Sequence, residues 1–113
     1  MIKIYHNPRC AKSRAGLKYL IDNSIEYEIV EYLKANLTAN DIESLILKTG
    51  MKPVDLVRNQ EDYYKKNLKG KNFSNKEWYE IIANNPKLLH RPIVVVENQA
   101  VLAQPPENIN KII

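Results

Sequence analysis

The chain has 113 residues, 44% hydrophobic and 27% charged, with a net charge of +4. That is one domain of ordinary globular composition, large enough to bury about two-thirds of its unfolded surface. A single cysteine excludes an internal disulfide, no apolar run is long enough to span a membrane, and nothing in the pattern of charge calls for nucleic acid.

Taken in chain order, Ile2 to Tyr5 reads as a short buried strand. The segment His6-Asn7-Pro8-Arg9-Cys10 follows as a loop, and Ala11 to Asn23 reads as a helix with Leu17, Leu20 and Ile21 on one face. Tyr27 to Val30 is the second strand, and strand–helix–strand at this length is most simply a right-handed parallel unit. Thr38-Ala39-Asn40-Asp41 resembles a capping box with Asp in place of Glu, and Leu37 and Ile42 fit its hydrophobic staple. Ile42, Leu45 and Ile46 form the inner face of the helix that follows, and Gly50 stops it. Pro53 opens a short helix through Val57. Asp62-Tyr63-Tyr64-Lys65-Lys66 reads as an amphipathic helix end, with a partner surface as the alternative.

Ser74-Asn75-Lys76-Glu77 is a full capping box with Phe73 and Trp78 as its staple. Trp78, Ile81 and Ile82 face inward until Asn84-Asn85-Pro86 breaks the helix. Pro92 to Val96 is the strongest strand in the chain. After a turn at Glu97 to Ala100, Val101 to Ala103 completes an antiparallel hairpin. Pro105-Pro106-Glu107 opens a last helix.

The order βαβ, several helices, ββα gives an α/β fold: a mixed four-stranded sheet flanked by helices, in the thioredoxin-like arrangement. Residues 1–113 form a single domain, with a helical insertion at about 36–88 between the two halves. This topology sets Cys10 near Arg91 and Pro92. A proline leading a strand cannot donate to the ladder. Were its peptide bond cis, it would present backbone to whatever sits on the sulfur, and the sequence does not fix the isomer.

Cys10 lies at a strand–loop–helix junction. The unpaired N–H groups and dipole of a helix N-terminus favour a thiolate over a thiol, and Arg9, Lys12 and Arg14 flank it with positive charge. A thiolate is a nucleophile, so Cys10 is the candidate catalytic residue. Asn7 and Pro8 shape a loop whose N–H groups can face an anion. Three residues after Cys10 stands Ser13. Its hydroxyl can donate to a thiolate but cannot resolve a disulfide, so redox turnover needs an external thiol. Two histidines and one cysteine lack metal-site spacing, so no metal is expected. His90 reads as a surface residue. The N-terminus shows no signal-peptide pattern, which makes the cytoplasm the expected location.

Tyr5-His6-Asn7-Pro8-Arg9-Cys10 with Lys12-Ser13-Arg14, Leu56-Val57-Arg58, Asn85-Pro86 and Arg91-Pro92-Ile93-Val94-Val95 together resemble the glutaredoxin-dependent arsenate reductase family, the ArsC and Spx-like proteins. The likeness runs from residue 2 to about residue 109. The chain ends soon after the last helix starts, as in the shorter members of that family. The resemblance implies that Cys10 attacks arsenate, that glutathione as co-substrate attacks the adduct, and that glutaredoxin resolves the mixed disulfide, with no bound cofactor. It assigns Arg58 and Arg91 to the oxyanion and gives His6 a charge beside the thiol; without it, His6 is equally a loop histidine bonded to backbone.

The family's third arginine is replaced by Gln104, in Ala103-Gln104-Pro105-Pro106-Glu107. Gln donates hydrogen bonds but brings no charge. Losing one charged partner costs about 1.5–3 kcal/mol, or roughly ten- to a hundredfold in affinity. The substrate is therefore arsenate or a related oxyanion. Two other readings stand beside this one. An Spx-like regulator would bind RNA polymerase, though Ser13 denies it an internal Cys-x-x-Cys switch. A glutathione mixed-disulfide oxidoreductase would use no oxyanion.

Overall fold

A computed structural model describes all of residues 1–113. The strands are β1 (Ile2–Tyr5), β2 (Tyr27–Val30), β3 (Ile93–Val96) and β4 (Gln99–Leu102). The α-helices are α1 (Ala11–Asp22), α2 (Ala39–Thr49) and α3 (Asn75–Asn84). The four strands form one mixed sheet in the order β2-β1-β3-β4. β1 and β2 are parallel, with Ile4 opposite Ile29; β1 and β3 are antiparallel, with Ile4 opposite Val94. This is the thioredoxin-like arrangement. No helix is long and apolar enough to cross a membrane.

The chain divides into two compact units, one of Met1–Ala35 with Arg91–Ile113, the other Asn36–His90. In the first, Ile4, Leu20, Val94, Ala103 and Ile109 make a fully buried core, with Leu17, Tyr19, Tyr27 and Val101 packed against it. The inner face of α1 is rotated from the one its apolar residues suggest. Ser13, Gly16 and Leu20 are its buried positions, while Ile21 is 54% exposed. The small residues face inward because Pro92 comes close there. A Cβ on Gly16 would lie 2.6 Å from Pro92 Cγ.

The β3–β4 hairpin also differs from expectation. Its turn is only Glu97 and Asn98, and β4 begins at Gln99, paired with Val96. Glu97 takes a left-handed φ of 55°, as two-residue hairpin turns require. The last helix is a 3-10 helix over Pro106–Lys111, with Ile109 as its buried anchor.

In the second unit, α2 and α3 both begin with reciprocal capping boxes. Thr38 Oγ1 accepts from Asp41 N and Ser74 Oγ from Glu77 N, and each acidic side chain accepts from its cap residue's N–H. Phe73 and Trp78 meet edge to face at 5.0 Å. Gly50 closes α2 at φ 70°, where only glycine sits without strain. Ile42, Leu45 and Ile46 of α2 and Trp78, Tyr79 and Ile82 of α3 are buried, whereas Ile81 is half-buried. Pro53–Leu56 is a 3-10 turn, and Tyr64–Leu68 is a short π-helix with Leu68 buried.

Candidate active site

The loop between β1 and α1 is shaped by its own hydrogen bonds. His6 N donates to Val30 O at 2.9 Å, extending the parallel pairing one step past β1. Asn7 then starts a turn, its side-chain Oδ1 accepting from Arg9 N at 3.1 Å and its carbonyl accepting from Cys10 N at 3.0 Å. Arg14 Nη1 reaches back to Pro8 O at 3.0 Å. The turn delivers Cys10 to the N-cap of α1, where its carbonyl accepts from Arg14 N. Cys10 stands at the N-cap without a side-chain capping hydrogen bond, so its sulfur is not spent on closing the helix.

Cys10 is half-buried, and burial pushes its thiol up. The Ser13 N–H, the Arg91 guanidinium and the Lys12 N–H outweigh that effect together, and the thiol is held below its ordinary value. Donors to the charged form of an acid lower its pKa. The charge that reaches the sulfur comes from Arg91, beside β3. Arg9, Lys12 and Arg14, the flanking cations expected to supply it, hold exposed side chains, and solvent screens their charge.

Ser13 is fully buried, and its hydroxyl is engaged by the loop. Oγ accepts from Asn7 N at 2.9 Å and lies 2.7 Å from His6 Nδ1. The hydroxyl ties the start of the loop to the first turn of α1, while the Ser13 N–H serves the sulfur. His6 is 5% exposed. Burial lowers its pKa, with Arg14 acting the same way and Glu31 and Ser13 opposing them. His6 Nδ1 shares a hydrogen bond with Ser13 Oγ, and its lowered pKa favours the neutral ring over a charge beside the thiol. Asn7 is likewise buried, at 8% exposed.

The Arg91–Pro92 peptide bond is cis, as is Gln104–Pro105. The Pro92 carbonyl accepts from Ala103 N at 2.9 Å. The Arg91 carbonyl accepts from the side-chain amide of Gln104. Both carbonyls of the step expected to face the sulfur therefore already hold partners within the fold.

Arg58 belongs to the second unit. It follows the 3-10 turn beside the Val57–Leu89 bridge, and its N–H donates to Leu88 O at 2.7 Å. Its guanidinium is paired with the Glu61 carboxylate. His90 in the same unit donates its N–H to Leu56 O at 2.8 Å. The first unit thus gathers Cys10, His6, Asn7, Ser13, Arg91, Pro92 and Gln104. No cluster of three His, Cys, Asp or Glu side chains is placed to hold a metal.

Two positions that sequence reasoning passed over also matter. Gly16 admits Pro92 against α1, and a glycine in mid-helix was the available signal. Asn108 donates to the carbonyls of Leu102 and Gln104 at 3.1 and 3.0 Å, and nothing in the local pattern marks it.

The ArsC family matches residues 5–112. Over 114 aligned residues the chain is 40% identical to the protein YfgD of Escherichia coli K12, covering 99% of this chain and 96% of that one. It is 37% identical over 114 residues to an arsenate reductase of Neisseria meningitidis serogroup A, covering 99% and 97%. The solved structure of an arsenate reductase from Vibrio cholerae superposes with a TM-score of 0.92 at 34% identity, covering 99% of this chain and 97% of that one. This chain belongs to the ArsC family.

Proposed function

We propose that the protein is an arsenate reductase-like thiol oxidoreductase in which Cys10 attacks arsenate or a related oxyanion. The observation that carries this reading is the pairing of a thiol held below its ordinary value with the guanidinium of Arg91. A nucleophile and an anion-binding fork stand together. Relatives named arsenate reductase, at 32–37% identity, support the substrate.

In this reading the Cys10 thiolate bonds to the arsenic of dihydrogen arsenate, and one arsenate hydroxyl takes the proton of the other and leaves as water. Arg91 neutralises charge on the remaining oxygens. The thiolate of glutathione attacks the Cys10 sulfur, and the sulfur–arsenic bond breaks with its electron pair going to arsenic. As(V) becomes As(III), and Cys10 and glutathione are left as a mixed disulfide. Glutaredoxin reduces that disulfide, a step that Ser13 cannot perform because it carries no thiol. Arg58, the second expected oxyanion ligand, pairs its Nη1 with Glu61, so an anion taken there would share the guanidinium with that carboxylate.

A second reading has its own support. Gln104 brings no charge, and its amide bonds a backbone carbonyl, so the site has one cationic partner fewer than the three arginines the resemblance implies. That favours a thiol enzyme acting on glutathione mixed disulfides. One experiment addresses both: the purified protein is supplied with glutathione and glutaredoxin, and either arsenate or a glutathionylated peptide. Arsenite formation above a Cys10→Ser control supports the first reading, and its absence refutes it. Peptide deglutathionylation without arsenite formation supports the second.

A further inference from the structure

Gln104 sits where β4 ends, and its backbone is fixed on both sides. Ala103 N donates to Pro92 O at 2.9 Å, and Asn108 Nδ2 donates to Gln104 O at 3.0 Å. From that fixed base the half-buried side chain turns to the start of β3 and donates Nε2 to the carbonyl of Arg91. One of the two N–H donors of the amide is thereby engaged by the main chain of the residue whose guanidinium bears on Cys10.

We propose that Gln104 is a positioning residue: by holding the Arg91 carbonyl it fixes where the Arg91 side chain departs, and so presents the guanidinium to Cys10 Sγ. An arginine side chain is long and flexible, and its charge-assisted bond depends on geometry. A main-chain anchor one peptide from Pro92 removes freedom where it most affects that geometry. The lower thiol pKa, to which Arg91 contributes both a hydrogen bond and its charge, is the expected consequence.

The inference rests on Cys10 as the reacting thiol and does not depend on arsenate. Its test is therefore the rate of Cys10 alkylation by iodoacetamide against pH, on the full chain, with no oxyanion, glutathione or glutaredoxin present. Failure to turn over arsenate would leave this measurement intact. Gln104→Met keeps the length of the side chain and removes the donor. It is expected to slow alkylation at pH 7 about threefold and to move the pH profile upward. In an Arg91→Met background the same substitution is expected to change nothing. Asn108→Ala, which frees the Gln104 main chain, is expected to act in the same direction more weakly, and it decides the matter by the same comparison if Gln104→Met does not fold. Alkylation at the wild-type rate, or equal slowing with and without Arg91, overturns the proposal.

Discussion

Replacing Gly16 by Ala sets two known effects against each other. In an open helix the change is favourable by about 1 kcal/mol, since Gly is the poorest ordinary residue in a helix interior. At Gly16 the new methyl would stand 2.6 Å from Pro92 Cγ, with Pro92 Cβ at 3.6 Å and Ala103 Cβ at 3.8 Å behind it. That first distance is about 1 Å inside carbon–carbon contact. The neighbour that must yield is a buried ring whose carbonyl is tied to Ala103 N, so neither a rotamer change nor a shift of β3 is easy. Overpacking of this kind costs about 1–3 kcal/mol, and the rigidity of the neighbour places it near the upper end. The net expectation is a loss of about 2 kcal/mol and a fall in Tm of roughly 5–10 °C. Urea unfolding measures it, with exposed Ala15→Gly as a calibration of helix propensity in the same helix, expected to cost about 1 kcal/mol. If Gly16→Ala is as stable as the wild type or more so, the account of Gly16 as the seat of Pro92 is wrong.

Ser13→Ala removes the buried acceptor of Asn7 N and the partner of His6 Nδ1, for an expected cost of about 2–4 kcal/mol in urea unfolding. Because the sulfur is served by the Ser13 N–H, Cys10 in this variant should keep a thiol pKa below the ordinary range; alkylation that requires pH near 9 would contradict that. Stability should rise with pH over the window from the folded thiol value up to 9.0, because there the unfolded chain binds more protons than the folded one. Cys10→Ser should flatten that slope. A separate loss of stability, as pH falls from 6.5 through the lowered value of His6, should survive in Cys10→Ser, since burial must be undone before the imidazole is protonated. Unfolding free energies of the two proteins at pH 5–9 test both slopes. Ser74→Ala breaks one capping box and should cost about 1 kcal/mol. The same variant should raise the carboxyl of Glu77, which its bonds to Ser74 hold below 4.5, as NMR titration would report.

Where backbone demand is local, the sequence was read closely. The boundaries of β1 and β2 follow from short apolar runs bounded by loop residues. Both capping boxes announce themselves through one hydroxyl and one carboxylate three residues apart, and Gly50 marks a left-handed stop that other residues resist. The 3-10 turn at Pro53–Leu56 is announced by its proline. The π segment at Tyr64–Leu68 and the 3-10 form of the last helix are less legible, since each is set by packing of one anchor, Leu68 or Ile109, and not by a repeating face. The hairpin turn was read too long because Gln99 and Ala100 look like turn residues, yet both pair in the ladder.

The site is legible at Cys10 and Arg91 and less so around them, because two other groups that act on the sulfur are ones that side-chain identity does not advertise. Lys12 and Ser13 act through their N–H groups, which any residue but proline would supply. Counting apolar residues along α1 selects Leu17, Leu20 and Ile21. Leu20 is buried and Leu17 packs against the core, but Ile21 is exposed, and the count passes over the buried Ser13 and Gly16 of the inner face. A hydroxyl and a glycine lie on that face because a loop must be tied there and a proline admitted. Gln104 extends the point: as a residue type it reads as an arginine lost from an anion site, but its amide holds the backbone of the arginine that remains. In α1 the polar and small residues of the inner face mark where the helix meets the cysteine loop, and a register chosen by hydrophobicity alone keeps Leu17 and Leu20 inward but misses Ser13 and Gly16.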